Sequence, residues 1–420
     1  MNILKKLVIE GGHEISGTIK ISGAKNSIVA LIPASILTSG RCVITNVPDI
    51  SDVRILIDMM KELGSIITFE DETITIDNRY VKNKKITEEY ARKLRASYYF
   101  MGSLIGKFHE AEIAYPGGCV IGSRPINYHI ESFKKMGIDV KNTKDYYKMK
   151  AKELKGNEFY FDFPSVGATI NIMLASVLAK GKTVIYNAAK EPEIANVASF
   201  LNSMGAKVFG AGTSTIEITG VEALHDGFVE VIPDRIEAGT YILIGSLIGK
   251  NLKIENIIEQ HLDSLLYKLK QSGVKYKIKN NTIVVSKTDH LKPVNVKTTV
   301  YPGFPTDLGQ PMSTFLTQCE GESLFEETIY ENRLRHVPHL NSMGARIQAF
   351  DKKAIINGKT PLVGRKVKAT DLRAGASMLV AGLIADGTTE IQNIEHLLRG
   401  YERIVEKLGS VGVNIKLIDE

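Results

Sequence analysis

Six short tags punctuate this chain at nearly equal intervals: "KELG" ending at Gly64, "KKMG" at Gly137, "NSMG" at Gly205, "KQSG" at Gly273, "NSMG" at Gly344 and "GSVG" at Gly412. Neighbouring tags lie 68 to 73 residues apart, so a period near 70 runs through the chain. Such a period means one supersecondary unit used six times, each copy too small to bury its own apolar face. Every tag ends an amphipathic stretch, as Ile194, Val197, Leu201 and Met204 show in "EIANVASFLNSMG". That is helical spacing closed by a glycine, the residue that takes a left-handed C′ conformation at least cost. Alternating segments such as "KYKIKNNTIVVS" and "RIQAFDKKAIING" follow and read as antiparallel strand pairs.

Upstream in each copy lies a second helix, apolar nearly all round: "NSIVALIPASILTSG", "YYFMGSLIG", "ATINIMLASVLAKG", "GTYILIGSLIG", "PMSTFLTQCEG" and "GASMLVAGLIADG". A helix apolar on every face is a buried helix. Short strands come next, as in "RCVITN", "KTVIYN", "NLKIEN" and "TTEIQN". The unit therefore predicts α/β architecture with parallel crossovers. The sixth copy stops at "NIKLIDE", and "KLVIEGGHEISGTIKIS" at the N-terminus resembles the strands that close the third copy. This predicts two domains of three repeats each, residues 23–232 and residues 1–22 with 233–420, and a cleft between them as the ligand site. An open solenoid is the other way to stack six repeats, and the wrap-around of the N-terminus favours closure.

The chain has 420 residues, a net charge of +6 and three cysteines, Cys42, Cys119 and Cys319, without metal-ligand spacing. The charge suits an anionic small molecule as well as nucleic acid, and no Lys/Arg block points to the latter. No apolar run is long enough to span a membrane or serve as a signal peptide, so a reduced cytoplasm is the expected setting. Motifs for nucleotide loops, zinc proteases and dithiol sites are missing. His129 and the pair His336/His339 lack companions that would make a metal site, so neither zinc nor nicotinamide chemistry is expected.

Function shows where copies depart from the repeat. The second copy carries about four extra residues in "YPGGCVIGSRP", 115–125, which reads as a mobile active-site loop bearing Cys119 and Arg124. The other departure is at the starts of the buried helices, which carry Lys25, Arg95, Ser165-Val166-Gly167, Asp307 and Arg373. Cations placed at helix N-termini point to a bound anion, phosphate or carboxylate. Asp307, in the Pro/Gly-bracketed loop "VYPGFPTDLGQP", is either a helix cap or a carboxylate base facing those cations. Arg399 opens the last amphipathic helix, "LLRGYERIVEKL".

The motifs "SGAKNS", "LRAS", "PGGCVIGSRPINYHI", "PSVGATINIMLAS", "YPGFPTD", "YENR", "DLRAGA" and "RGYERI" closely resemble those of the bacterial UDP-N-acetylglucosamine 1-carboxyvinyltransferases, members of the enolpyruvyl transferase family. The resemblance runs in order from about Ile15 to the C-terminus. It implies an inside-out α/β barrel of six βαβαββ repeats, three per domain. The implied reaction moves the enolpyruvyl group of phosphoenolpyruvate to the 3′-hydroxyl of UDP-N-acetylglucosamine and releases phosphate, with no metal or organic cofactor. It is the first committed step of peptidoglycan synthesis.

By the same resemblance Lys25, Asn26, Arg124 and Arg399 grip phosphoenolpyruvate, Cys119 is the general acid, protonating the methylene carbon or assisting product release, and the thiol alkylated by fosfomycin, and Asp307 is the base. Asn26, Arg95, Arg124-Pro125-Ile126-Asn127-Tyr128, Ser165-Val166-Gly167, Asp307 and Ile329 line the nucleotide-sugar site, with Arg333, Asp371 and Arg373 in support. Two departures bear on nucleotide contacts. Phe163-Pro164 stands where many relatives have lysine and valine, and Asn127 replaces a common aspartate. The competing readings are enolpyruvyl transfer to shikimate 3-phosphate, a silent nucleotide-sugar sensor, and a basic RNA-binding protein, the last opposed by the lack of aromatic-plus-basic motifs.

Overall fold

The computed structural model describes residues 5–115 and 126–419. The chain divides into two compact units, and their described parts are residues 5–22 with 233–419, and residues 23–115 with 126–232. Each has its own hydrophobic core.

One arrangement recurs through both. In the third copy, strand Lys182–Tyr186 pairs parallel with Glu158–Tyr160 and antiparallel with Thr215–Thr219, which pairs antiparallel with Lys207–Phe209. The fourth copy repeats this with Leu252–Glu255 between Thr18–Lys20 and Thr282–Val285. The fifth does so with Glu322–Glu326 between Val296–Lys297 and Lys353–Asn357. In the second copy three strands form the sheet, and a single parallel bridge from Ile86 to Ile113 takes the place of the fourth.

The ends of the repeat series close on themselves. Strand Gly227–Glu230, which follows the third copy, pairs parallel with Arg41–Thr45 of the first. In the sixth copy the N-terminal strand Lys5–Glu10 lies between Thr388–Gln392 and Asn414–Asp419, antiparallel to both. Closure rather than an open solenoid follows from these pairings, because no terminal repeat is left with an unmatched sheet.

Inside each ring of sheets stand the apolar helices. Lys25–Ala34 packs on Tyr99–Phe108, which packs on Val166–Ser176. In the other unit Arg235–Ile248, Thr306–Leu316 and Leu372–Ile384 pack on one another. Every residue of Arg235–Ile248 is buried. Each large apolar side chain so placed contributes about 1.5–3 kcal/mol relative to exposure, which outweighs the cost of surrounding a helix completely. Helices inside and sheets outside make each unit an inside-out α/β barrel.

Two small devices fix the repeat. Asn46, Asn187, Asn256 and Asn393 end their strands at positive φ, between 50° and 62°. The side-chain amides of Asn46, Asn187 and Asn256 donate to Val231, Phe161 and Ile21 carbonyls at 2.7–2.8 Å, stitching each strand end to its parallel partner. Asparagine tolerates this conformation better than other non-glycine residues. All six tag glycines have positive φ, from 88° at Gly137 to 109° at Gly344.

Two expectations need correction. Asp307 lies in no loop: it is the second residue of helix Thr306–Leu316, and the cap position belongs to Pro305. Arg399 does not open the last helix, because that stretch breaks into Glu395–Leu398 and Ile404–Gly409. Arg399 follows the first piece, and Arg403, at φ 46°, takes the left-handed conformation just before the second.

The tag glycines give a stability test. A β-carbon on Gly64 would lie 2.5 Å from the Tyr80 carbonyl oxygen, whereas one on Gly412 would meet nothing within 4 Å. The left-handed conformation alone costs an L-residue roughly 1–2 kcal/mol. Gly412→Ala is expected to lower the free energy of unfolding by that amount, read by denaturant titration, and Gly64→Ala by clearly more; equal losses would mean that the contact with Tyr80 is irrelevant.

Candidate active site

In the unit formed by residues 23–232, the functional candidates cluster at helix N-termini. Lys25 is the first residue of helix Lys25–Ala34, and Asn26 follows it. Lys25 Nζ lies 3.2 Å from Oδ2 of Asp52, whose side chain is fully buried. Asp52 stands in the first turn of helix Ser51–Leu63, where a carboxylate also complements the helix dipole. The pair holds a mostly buried ammonium in one direction at the start of an apolar helix. Sequence reasoning passed over Asp52, since an acidic residue in a first helical turn is ordinary.

Ser165 caps helix Val166–Ser176, its Oγ accepting from Ala168 N at 3.3 Å. Gly167 has no room for a side chain: a β-carbon would lie 2.8 Å from the Tyr98 hydroxyl and 2.9 Å from His129 Nε2. His129 packs edge-on to Tyr98, with ring centroids 5.5 Å apart. Burial, joined by the nearby charge of Arg95, pushes the His129 pKa down to about 3, so the ring is neutral at physiological pH. Arg95 opens a short 3-10 turn before helix Tyr99–Phe108 instead of starting the helix itself. Arg95, Tyr98, His129 and Gly167 are thus brought together. Tyr128 packs on Phe161 at 5.2 Å, Ile126 is buried and Asn127 is exposed. Phe163 is also exposed, which leaves the Phe163-Pro164 departure facing solvent.

In the other unit Asp307 is held from both sides. Arg333 Nη2 donates to its Oδ1 at 2.6 Å, and Arg373 Nη2 donates to its Oδ2 at 2.7 Å. Both arginines are nearly buried, at 3% and 5% side-chain exposure, against 25% for Asp307. Burial works against the charge of Arg373, and the Asp307 carboxylate more than offsets it, so the Arg373 pKa is raised. Asp371 caps helix Leu372–Ile384 by accepting from Arg373 N and Ala374 N, and lies 3.8 Å from Arg333. Gln310 donates to the Arg333 carbonyl at 2.6 Å. Each Asp307 oxygen accepts one guanidinium N–H, so the carboxylate is held through both of its oxygens. Ile329 sits on a separate turn, its N–H donating to the buried Glu327 carboxylate at 2.7 Å. Arg399 is half-buried.

Cys119, Arg124 and Pro125 lie outside the described residues. Cys42 and Cys319 are buried, and burial pushes both thiols up to about 12, which makes them inert packing groups. Among the described residues no three His, Cys, Asp or Glu side chains could hold a metal ion together. Nor is any described helix long and apolar enough to cross a membrane.

Comparison with known proteins gives one answer along the whole chain. The family profile of EPSP synthase (3-phosphoshikimate 1-carboxyvinyltransferase) matches residues 9–408. UDP-N-acetylglucosamine 1-carboxyvinyltransferase 2 of Listeria monocytogenes serotype 4b is 49% identical over 410 residues, covering 98% of this chain and 97% of that one. Its namesake in Bacillus anthracis is 49% identical over 413 residues, covering 98% and 96%. The solved enolpyruvyl transferase NikO from Streptomyces tendae superposes with a TM-score of 0.90 at 25% identity, covering both chains completely. EPSP synthase from Acinetobacter baumannii reaches 0.77 at 17% identity, over 99% of this chain and all of that one, a likeness of fold. With its profile matched nearly end to end and relatives at about half identity throughout, the chain belongs to the EPSP synthase (3-phosphoshikimate 1-carboxyvinyltransferase) family of enolpyruvyl transferases.

Proposed function

We propose that this chain transfers the enolpyruvyl group of phosphoenolpyruvate to the 3′-hydroxyl of UDP-N-acetylglucosamine, releasing phosphate, as the first committed step of peptidoglycan synthesis. The observation that carries this is the 49% identity, across 98% of the chain, to relatives named for that reaction. The same relatives favour it over transfer to shikimate 3-phosphate. The reading sets the reaction in the cytoplasm, with two anionic small molecules as substrates.

The proposed division of labour follows the chemistry. Protonating the methylene carbon of phosphoenolpyruvate makes the adjacent carbon electrophilic, so the acid must act on one substrate while the base acts on the other. Cys119 serves as the acid, and Asp307 takes the proton of the attacking hydroxyl. The clamp of Arg333 and Arg373 supports the second role, because it fixes both oxygens of a carboxylate that is still partly exposed. Lys25, oriented by Asp52, and Arg124 and Arg399 neutralise the phosphate and carboxylate of phosphoenolpyruvate. Asn26 holds the sugar side, and Arg95 with the N-terminus of Val166–Ser176 receives the nucleotide diphosphate. A neutral His129 behind that terminus adds packing without a second charge. Residues Ile126, Asn127, Tyr128 and Ile329, with Arg124 and Pro125, line the remainder of the nucleotide-sugar site.

Two experiments test the reading. Phosphate release from phosphoenolpyruvate is expected with UDP-N-acetylglucosamine and not with shikimate 3-phosphate, and it is expected to vanish in Asp307→Asn. Asp307→Ala should also melt lower, because it takes the hydrogen-bonded carboxylate away from two buried guanidinium groups, a loss of up to about 3–5 kcal/mol. Release only with the shikimate acceptor would move the chain to the sister activity, and release with neither would favour the silent sensor. Separately, a thiol reagent on the native protein at neutral pH is expected to modify Cys119 before Cys42 and Cys319. Fosfomycin should block turnover of the wild type while Cys119→Asp keeps turnover and resists the drug; inhibition of that variant would remove Cys119 as the alkylated residue.

A further inference from the structure

The fourth repeat hides a charged cluster that the reaction does not use. Glu237, in the first turn of the buried helix Arg235–Ile248, is 2% exposed. Lys407 Nζ lies 2.7 Å from its Oε1, and Ser22 N donates to its Oε2 at 2.8 Å. Lys407 Nζ also donates to Ser22 Oγ at 2.6 Å, and that hydroxyl donates to Glu402 Oε2. Ser22 is the last residue of the N-terminal segment before the chain passes to the other unit, and its carbonyl accepts from Asp234 N at 2.9 Å. Glu402 lies three residues beyond Arg399, and the intervening Tyr401 is buried with its hydroxyl 2.8 Å from Thr240 Oγ1. Three segments distant in sequence therefore meet on one serine.

Resting on the reading of Arg399 as a phosphoenolpyruvate ligand, we propose that the Ser22–Glu237–Lys407–Glu402 cluster is a positioning device for Arg399, anchoring the 400–402 turn to the strand end at Ser22. A buried polar network of this kind fixes geometry when all its members are satisfied and loosens it when one is lost. The groups facing Glu237 are Lys407, Asp234, Tyr241, Tyr401 and, through Ser22, Glu402, with Arg373 beyond Tyr401. Burial, opposed by Lys407, raises the Glu237 carboxyl to about 7. The hold on Lys407 is therefore complete above that pH and weakens below it. A carboxyl raised on folding favours the folded state while protonated, so its contribution to stability falls as pH rises from its ordinary value of 4.5 to about 7.

The test is Glu237→Gln, which keeps the shape and removes the charge. At about pH 8 its KM for phosphoenolpyruvate is expected to rise about fivefold or more, with KM for UDP-N-acetylglucosamine nearly unchanged. The ratio of variant to wild-type KM should fall towards one near pH 6, since both proteins then carry an uncharged group and titration of the substrate cancels. The melting temperature of the variant relative to wild type should rise between about pH 4.5 and 7. A ratio of one at pH 8, a ratio independent of pH, or equal changes for both substrates would overturn the proposal. Ser22→Ala, which breaks the link from Lys407 to Glu402 and keeps the Glu237–Lys407 ion pair, covers the case in which Glu237→Gln does not fold. It too should raise KM for phosphoenolpyruvate, and no change would count against the device. Arg399→Lys separates the two levels. If that variant leaves KM for phosphoenolpyruvate unchanged, the role of Arg399 fails and the inference with it. If it raises KM while Glu237→Gln does not, the inference alone fails.

Discussion

Complete burial of helices is the constraint on which this structure turns. A helix surrounded by protein cannot carry charge along its length, because an unpaired ion there would lose several kcal/mol of hydration. Charged chemistry is confined to its ends. Lys25, Asp307 and Arg373 all sit in first turns, and Ser165 and Asp371 are caps. The repeat thus prepares several equivalent places where backbone N–H groups are already unsatisfied and where side chains of either sign can be presented. Chemistry differs between copies while the packing does not.

Most of the architecture was legible because it is written locally and six times. Tag glycines, strand-end asparagines and all-apolar helices each follow from the conformation or burial of a few adjacent residues. What escaped were the pairs made at a distance. Asp307 looked like a loop residue or a cap because proline and glycine surround it, whereas its partners Arg333 and Arg373 lie 26 and 66 positions away. Asp52 and Glu237 looked like ordinary acidic residues of a helical first turn. Only the packing shows that each is buried against a lysine. Arg399 was expected at a helix start and follows a short helix instead, since an amphipathic pattern can continue across a break in the backbone.

The candidate site divides in the same way. Cations at helix starts could be picked out by comparing copies, because a charge at an equivalent position stands out against an apolar background. Their orientation could not. Lys25 depends on Asp52, Asp307 on two arginines, and the start of Val166–Ser176 on a neutral histidine with no space left for a side chain on Gly167. The cysteines contrast with these groups, for two of the three are raised by burial out of any useful range.

The place of Lys5–Glu10 between Thr388–Gln392 and Asn414–Asp419 has a consequence for biosynthesis. A ribosome makes that strand long before either of its neighbours. The segment 23–232 holds all the strands its sheets require and can begin to fold while translation continues. The other unit must keep an apolar strand waiting, with Leu7 and Ile9 unpaired, until Thr388–Gln392 and Asn414–Asp419 emerge. During that interval the N-terminal strand is an open edge, the kind of surface on which chaperones act and aggregates grow.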